Sequence, residues 1–300
     1  MAAKESPTVE INPFKRILKM PGALCGGIST GSDKIRSGYG NGDCLFFDFE
    51  HLVFAVADGT ERFPWASRDL LQRLAERLSR SGSPETARDW KDMMNNEIYA
   101  GQKYQHKTTF SAVSLRREKE AVTLIIANGG DSVVTVMDGL TAKIRRQTGR
   151  NMEFAGRSRE IVEVMEHRVS DQNVRVLLST DGFDDVWRFC LRRSLVGSAR
   201  EVLERVGLDG ISEEIFGILE GQRGRFEYDD VGFILLDPNV VKRVKGKALI
   251  MGGTRPFEEE CYRQQYTPQV YDRWIPDARW DEQEEMLAGA GIRVLKAGPC

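Results

Sequence analysis

Apolar positions along the chain come in short runs. Cys44-Leu45-Phe46-Phe47 and Leu52-Val53-Phe54-Ala55-Val56-Ala57 flank a short Asp48-Phe49-Glu50 segment, which predicts two antiparallel strands joined by a tight turn. From Ala66 to Ser79 the spacing changes: Leu70, Leu71, Leu74 and Leu78 recur at helical intervals, and Thr86 to Tyr99 repeats the pattern more weakly. A β-rich stretch follows, over Thr108–Leu115, Ala121–Asn128, Ser132–Met137 and Thr141–Gln147, broken by Gly129-Gly130-Asp131 and Asp138-Gly139, and reads as a meander. Val174–Ser179 is a further strand, Ser194–Val206 and Ile211–Leu219 are helical, and Val231–Leu236 closes the pattern as a strand.

Strands, two helices, strands, two helices and a last strand predict an α+β fold of layered sheets with helices outside. Residues 1–20 mix charge and proline before any clear strand and read as a tail along the domain edge. Residues 21–238 form the main domain. Beyond Asp237-Pro238 the composition turns basic and then rich in Trp, Tyr and Glu, so 239–300 is an extension expected to pack on the core or on a dimer partner. Tyr271, Trp274 and Trp280 are too many large rings for a fully solvated segment.

Composition narrows the function. With 41% hydrophobic and 29% charged residues the chain is globular, and a formal net charge of -2 gives no reason to expect nucleic acid or an anionic membrane as partner. The first residues lack the apolar core of a signal peptide, and no apolar run reaches membrane-spanning length. Five scattered cysteines without a C-x-x-C pair suit reduced thiols, so a cytoplasmic protein without structural zinc is expected.

The chemistry lies in aspartates at strand ends: Asn41-Gly42-Asp43, Ala57-Asp58-Gly59, Gly130-Asp131-Ser132, Thr180-Asp181-Gly182 and Tyr228-Asp229-Asp230. Each alone is an ordinary turn sequence. Together they place carboxylates where rigid scaffolds present ligands, and glycine beside aspartate lets a ligand approach the backbone. Carboxylates without histidine or cysteine partners select hard ions such as Mg2+ or Mn2+, which suit phosphate chemistry.

In order and in strand context these motifs resemble the PPM-type (type 2C) metal-dependent serine/threonine protein phosphatases. Phe54-Ala55-Val56-Ala57-Asp58-Gly59, Lys107-Thr108-Thr109, Ala127-Asn128-Gly129-Gly130-Asp131-Ser132, Leu178-Ser179-Thr180-Asp181-Gly182 and Asp229-Asp230-Val231-Gly232 are similar to successive family motifs over residues 25 to 237. The resemblance implies an α-β-β-α sandwich of two antiparallel sheets flanked by helices. It implies hydrolysis of phosphoserine and phosphothreonine in proteins, such as a kinase or signalling protein, by a metal-bound water or hydroxide without a covalent intermediate. Two or three Mn2+ or Mg2+ ions would be held by Asp58, the Gly59 carbonyl, Asp181 and Asp229, with Asp131 and Asp181 at a third site and Asp43 positioning bound waters. Asp58, Asp181 and Asp229 would carry the catalytic water activation, and Arg36 is the candidate for the substrate phosphate.

The chain also departs from the pattern. Gly42-Asp43 stands where many members have Glu-Asp, Thr60-Glu61-Arg62 replaces His-Gly-Gly, and the interval from Asp131 to Asp181 is short, implying a reduced flap. Loss of a general acid costs ~10^2 to 10^4 in rate, a deficit that Glu61 or a bound water would have to fill. The alternative is a phosphatase-like module that is catalytically weak or inactive and acts as a regulatory adaptor. Two other patterns fail on context. Asp58-Gly59-Thr60 is similar to a haloacid-dehalogenase motif, but Val56 holds the place of its nucleophilic aspartate. Gly27-Ile28-Ser29-Thr30-Gly31 fits a nucleophile elbow by letter but reads as a flexible loop. His51, His106 and His167 show no metal-ligand spacing.

Overall fold

The computed structural model describes residues 9–12, 15–192, 197–222, 224–246, 248–265 and 292–294. The expected hairpin forms β4 (Asp43–Asp48) and β5 (Val53–Asp58), with Asp43 paired to Asp58 across the ladder. Their apolar runs are continuous because both faces are buried, and side chains of alternate residues enter different cores. Leu45, Phe47, Phe54 and Val56 face the second sheet, whereas Cys44, Phe46, Ala55 and Ala57 face helices.

These strands belong to a six-stranded sheet ordered Glu163–Val169 (β10), Val122–Gly129 (β7), Phe110–Arg117 (β6), β5, β4 and Leu249–Gly252 (β13). The other sheet has eight strands: Ile292–Val294 (β14), Val9–Asn12 (β1), Ile17–Met20 (β2), Leu24–Ser29 (β3), Val231–Leu236 (β12), Val174–Ser179 (β11), Val133–Asp138 (β8) and Ile144–Gln147 (β9). Neighbours pair antiparallel except β1 and β14, which run parallel. Leu24, Val134, Val176, Leu178 and Ile234 meet the smaller sheet in the central core.

Helices cover both outer faces. Ala66–Ser81 (α2) buries Leu70, Leu71, Leu74 and Leu78 on the smaller sheet and stops at Gly82, whose φ is 71°. Ala87–Met93 (α3), capped by the Thr86 side chain, runs into a π-helical turn over Met94–Tyr99 on the same face. Asp181–Arg192 (α4), Ala199–Val206 (α5) and Ile211–Gly221 (α6) cover the larger sheet, where Phe183, Val186, Val202 and Ile215 pack on Phe233 and Leu235 of β12. Ser32–Ser37 (α1) follows β3, and Pro256–Gln265 (α7) follows β13. The result is the expected α-β-β-α sandwich, and among the described residues no helix is long and apolar enough to cross a membrane.

Several local expectations are corrected. Residues 9–12 and 17–20, read within a tail, are strands of the larger sheet. The stretch after α3 is not one meander, because β6 and β7 lie in one sheet and β8 and β9 in the other. Gly27–Gly31 is not a flexible loop. Its first residues end β3, in which a Cβ on Gly26 would lie 2.8 Å from Phe47 Cζ and one on Gly27 would lie 2.6 Å from Phe216 Cε2. The glycines admit an aromatic ring on each face of the strand. Ser29 is not among the non-glycine residues with positive φ, so no strained nucleophile elbow forms there. Tyr271, Trp274 and Trp280 lie outside the described residues.

Candidate metal centre

Strand ends and crossovers gather the aspartates at one end of the sandwich. Asp43 opens β4 and Asp58 closes β5. Asp131 lies where the chain passes from β7 to β8, hence from one sheet to the other; Asp181 opens α4 directly after β11; Asp229 and Asp230 lead into β12. Asp58, Asp131 and Asp181, all half-buried, each offer a carboxylate oxygen, and these oxygens lie within 4.8 Å of one another.

The remaining predicted residues sit around this trio with different partners. Asp43 is buried and accepts a 2.7 Å hydrogen bond at Oδ2 from the Thr180 hydroxyl, which in turn accepts the Gly232 N–H at 3.0 Å. Asp229 Oδ1 lies 3.4 Å from Lys34 Nζ and accepts the Asp230 N–H at 2.8 Å. The Gly59 N–H donates to the Gly42 carbonyl at 2.8 Å, and the Asp58 N–H donates to Thr109 Oγ1 at 2.8 Å. A Cβ on Gly42 would lie only 2.2 Å from the Gly59 carbonyl oxygen, so this backbone cannot hold glutamate at that position. Arg36 is not brought to the carboxylates. It lies exposed on α1, paired with Glu227.

Sequence reasoning missed three residues. Lys34, two positions before Arg36, is the cation of α1 that reaches the site: it is buried and donates to Glu61 Oε1 at 2.7 Å as well as facing Asp229. Its signal was present only as a lysine in a polar stretch. Asp230 accepts the Gly31 N–H at Oδ1 and the Gly42 N–H at Oδ2, each at 2.7 Å, and so ties two loops together. Thr180 is the third.

Charge crowding dominates the electrostatics. Burial, with Asp58 and Asp230 nearby, holds the Asp43 carboxyl well above the usual range, and burial with Asp181 and Asp229 nearby does the same to Asp58. Burial and then Asp131 push Asp181 up to about 6, and burial raises Asp230 to about 7 despite its two backbone donors. Burial would lower the Lys34 pKa, but Glu61 and Asp229 outweigh it and hold the ammonium above its ordinary value. Crowded carboxylates of one sign call for a cation, and an all-oxygen donor set fits a hard divalent ion.

The chain matches no model of a known protein family and no curated protein. Solved structures do match. A bacterial serine phosphatase aligns with a TM-score of 0.50 at 15% identity, over 74% of this chain and 99% of that one. The serine/threonine phosphatase Stp1 from Staphylococcus aureus aligns with a TM-score of 0.49 at 15% identity, over 71% and 94%. The catalytic domain of the phosphatase PstP, solved with two manganese ions, gives 0.47 at 16% identity, over 72% and 98%. With two stacked sheets, outer helices and aspartates gathered at one end, the chain has the fold of the bacterial serine phosphatase, in line with the PPM-type resemblance of its motifs.

Proposed function

We propose that the protein is a metal-dependent phosphatase that hydrolyses phosphoserine and phosphothreonine in proteins, such as a kinase or another signalling protein. The observation that carries this reading is the Asp58, Asp131 and Asp181 trio, three carboxylates that each bring an oxygen within 4.8 Å of the others. Two or three Mg2+ or Mn2+ ions would be held by these residues with Asp229, the Gly59 carbonyl and, through bound water, Asp43. When bound, such ions supply a water acidified for attack and neutralise the phosphoryl oxygens.

The protein's own residues supply the rest. Asp58, Asp181 and Asp229 fix the direction of attack, because Asp58 ends a central strand and Asp181 begins a helix packed on the larger sheet. Thr180 keeps Asp43 in one orientation by donating to Oδ2. Lys34 faces the same carboxylates and is the cation best placed on α1 to meet a substrate phosphate oxygen; Arg36, in its pair with Glu227, has the weaker claim. Glu61 accepts from the Lys34 ammonium as a carboxylate and so orients that cation, which leaves a bound water as the candidate to protonate the leaving serine or threonine oxygen where the family uses histidine. Free, buried thiols at Cys25, Cys44 and Cys190 support a cytoplasmic setting.

Calorimetric titration with Mn2+, run beside turnover of a phosphothreonine peptide, tests this reading. Wild type should bind the metal and turn over, and Asp181→Asn should lose both. Metal binding without turnover on several phosphopeptides would move the protein to the regulatory-adaptor reading.

A further inference from the structure

The region after residue 238 had no role legible in the sequence, yet its helix α7 carries a fully buried carboxylate, Glu259, whose hydrogen-bond partners lead to the loops before Asp43 and beside Asp230. Arg16 Nη2 donates to both its oxygens at 3.0 and 3.1 Å. The Thr30 hydroxyl donates to Oε1 at 2.6 Å and the Thr254 hydroxyl to Oε2 at 2.7 Å. Burying an ion without partners costs several kcal/mol, so a carboxylate this well supplied with donors is a fixed point of the fold.

The bonds continue from there into the site. The Thr30 hydroxyl, having donated to Glu259, accepts from Arg16 Nη1 at 3.0 Å and from Asn41 Nδ2 at 3.1 Å, which uses its full capacity. The Thr254 hydroxyl accepts the Asn41 N–H at 3.0 Å, and Asn41 Oδ1 accepts the Asp43 N–H at 2.9 Å. The Gly253 N–H donates to the Asp43 carbonyl at 2.7 Å. Thr30 directly precedes Gly31 and Asn41 directly precedes Gly42, the two residues whose N–H groups are held by Asp230.

We propose that Glu259 is a positioning residue for the metal centre: through Thr30, Thr254 and Asn41 it locks the two loops that aim Asp43 and engage Asp230. Glu259 touches neither metal nor substrate, and its consequence for metal loading rests on the phosphatase reading above. Its neighbour Glu258 anchors the same helix to α2 through a two-pronged pair with Arg68 at 3.0 Å, so α7 is held from both sides.

The test uses the full chain carrying Glu259→Gln, which keeps the shape but turns one acceptor into a donor facing donors. Leu78→Ala, a core truncation in α2 away from these loops, serves as the control for general loss of stability. Metal-free hydrogen exchange should show the Gly31, Gly42 and Asp43 amides at least ~10-fold faster in Glu259→Gln but not in the control. Mn2+ affinity should fall ~10 to 100-fold in Glu259→Gln alone, the usual effect of removing a residue that orients metal ligands. If Glu259→Gln does not fold, Thr254→Val, which removes one hydroxyl and keeps the shape, should move both readouts in the same direction by ~3-fold. Amide exchange in Glu259→Gln or Thr254→Val that only matches the control overturns the proposal. Freed amides in a protein whose wild type binds no Mn2+ would sustain the locking of the two loops by Glu259 and sink the phosphatase reading, and with it any role in metal loading.

Discussion

Lys34 and Asp229 face each other across the mouth of the site, ammonium to carboxylate at 3.4 Å, while Arg36 on the same helix turns to Glu227. If the phosphatase reading holds, Lys34 is the residue a phosphate oxygen meets. A charge-assisted hydrogen bond contributes ~1.5–3 kcal/mol, so Lys34→Met should lower kcat/KM on a phosphothreonine peptide by ~10 to 100-fold. Arg36→Met breaks only an exposed pair and should change it by less than ~3-fold. Steady-state kinetics on the two variants decides between them, and the reverse ranking would restore Arg36.

Asp229 and Asp230 are adjacent in sequence but do different work. Both oxygens of Asp230 accept backbone N–H groups, from Gly31 and Gly42, whereas Asp229 faces Lys34. Asp230→Asn would set an amide against a backbone donor, at a cost of ~1–3 kcal/mol, and should lower the melting temperature by several degrees, about 3 °C per kcal/mol in a chain of this size. Asp229→Asn should leave melting within ~1 kcal/mol of wild type and abolish turnover. Thermal unfolding with parallel phosphate release checks both.

The raised carboxyl pKa values carry a pH signature. Asp181 at about 6 and Asp230 at about 7 bind protons more tightly folded than unfolded, where an aspartate titrates near 3.8, and Asp43 and Asp58 shift the same way. Between those limits the native state holds more protons, so stability falls as pH rises. Metal-free protein should therefore melt at least ~5 °C lower at pH 7.5 than at pH 5, as ~2 kcal/mol would produce. Saturating Mn2+ should remove most of that difference by neutralising the cluster. Calorimetry across pH with and without the ion is the check; a metal-free melting temperature that rises from pH 5 to 7.5 would contradict the crowded-carboxylate picture.

What the sequence made legible follows from where burial is two-sided and where it is not. β4, β5 and β12 stood out because strands covered on both faces read as unbroken apolar runs. β3 was hidden because two neighbouring rings require glycine in it, and glycine in sequence signals a loop. β10 was hidden at its sheet edge, where only Val169 is buried and Glu163, Glu166, His167 and Arg168 break the apolar pattern. α4 was missed because it opens with Asp181-Gly182, a turn signature, although Phe183, Val186 and Cys190 then bury one face. The order of the acidic motifs marked the site, since the strand ends that carry them are fixed by the same apolar pattern. Lys34, Thr180 and Glu259 were not legible, because each acts through a partner distant in sequence: Asp229, Asp43 and Thr30.

The most direct measurement is phosphate release from a phosphothreonine peptide by the purified protein with Mn2+, with chelator, and with Asp58→Asn. Turnover that needs the metal and is lost in Asp58→Asn, which removes one carboxylate from the trio with little change of shape, is the predicted result. Turnover that persists in chelator or in Asp58→Asn would place the chemistry elsewhere and contradict the account.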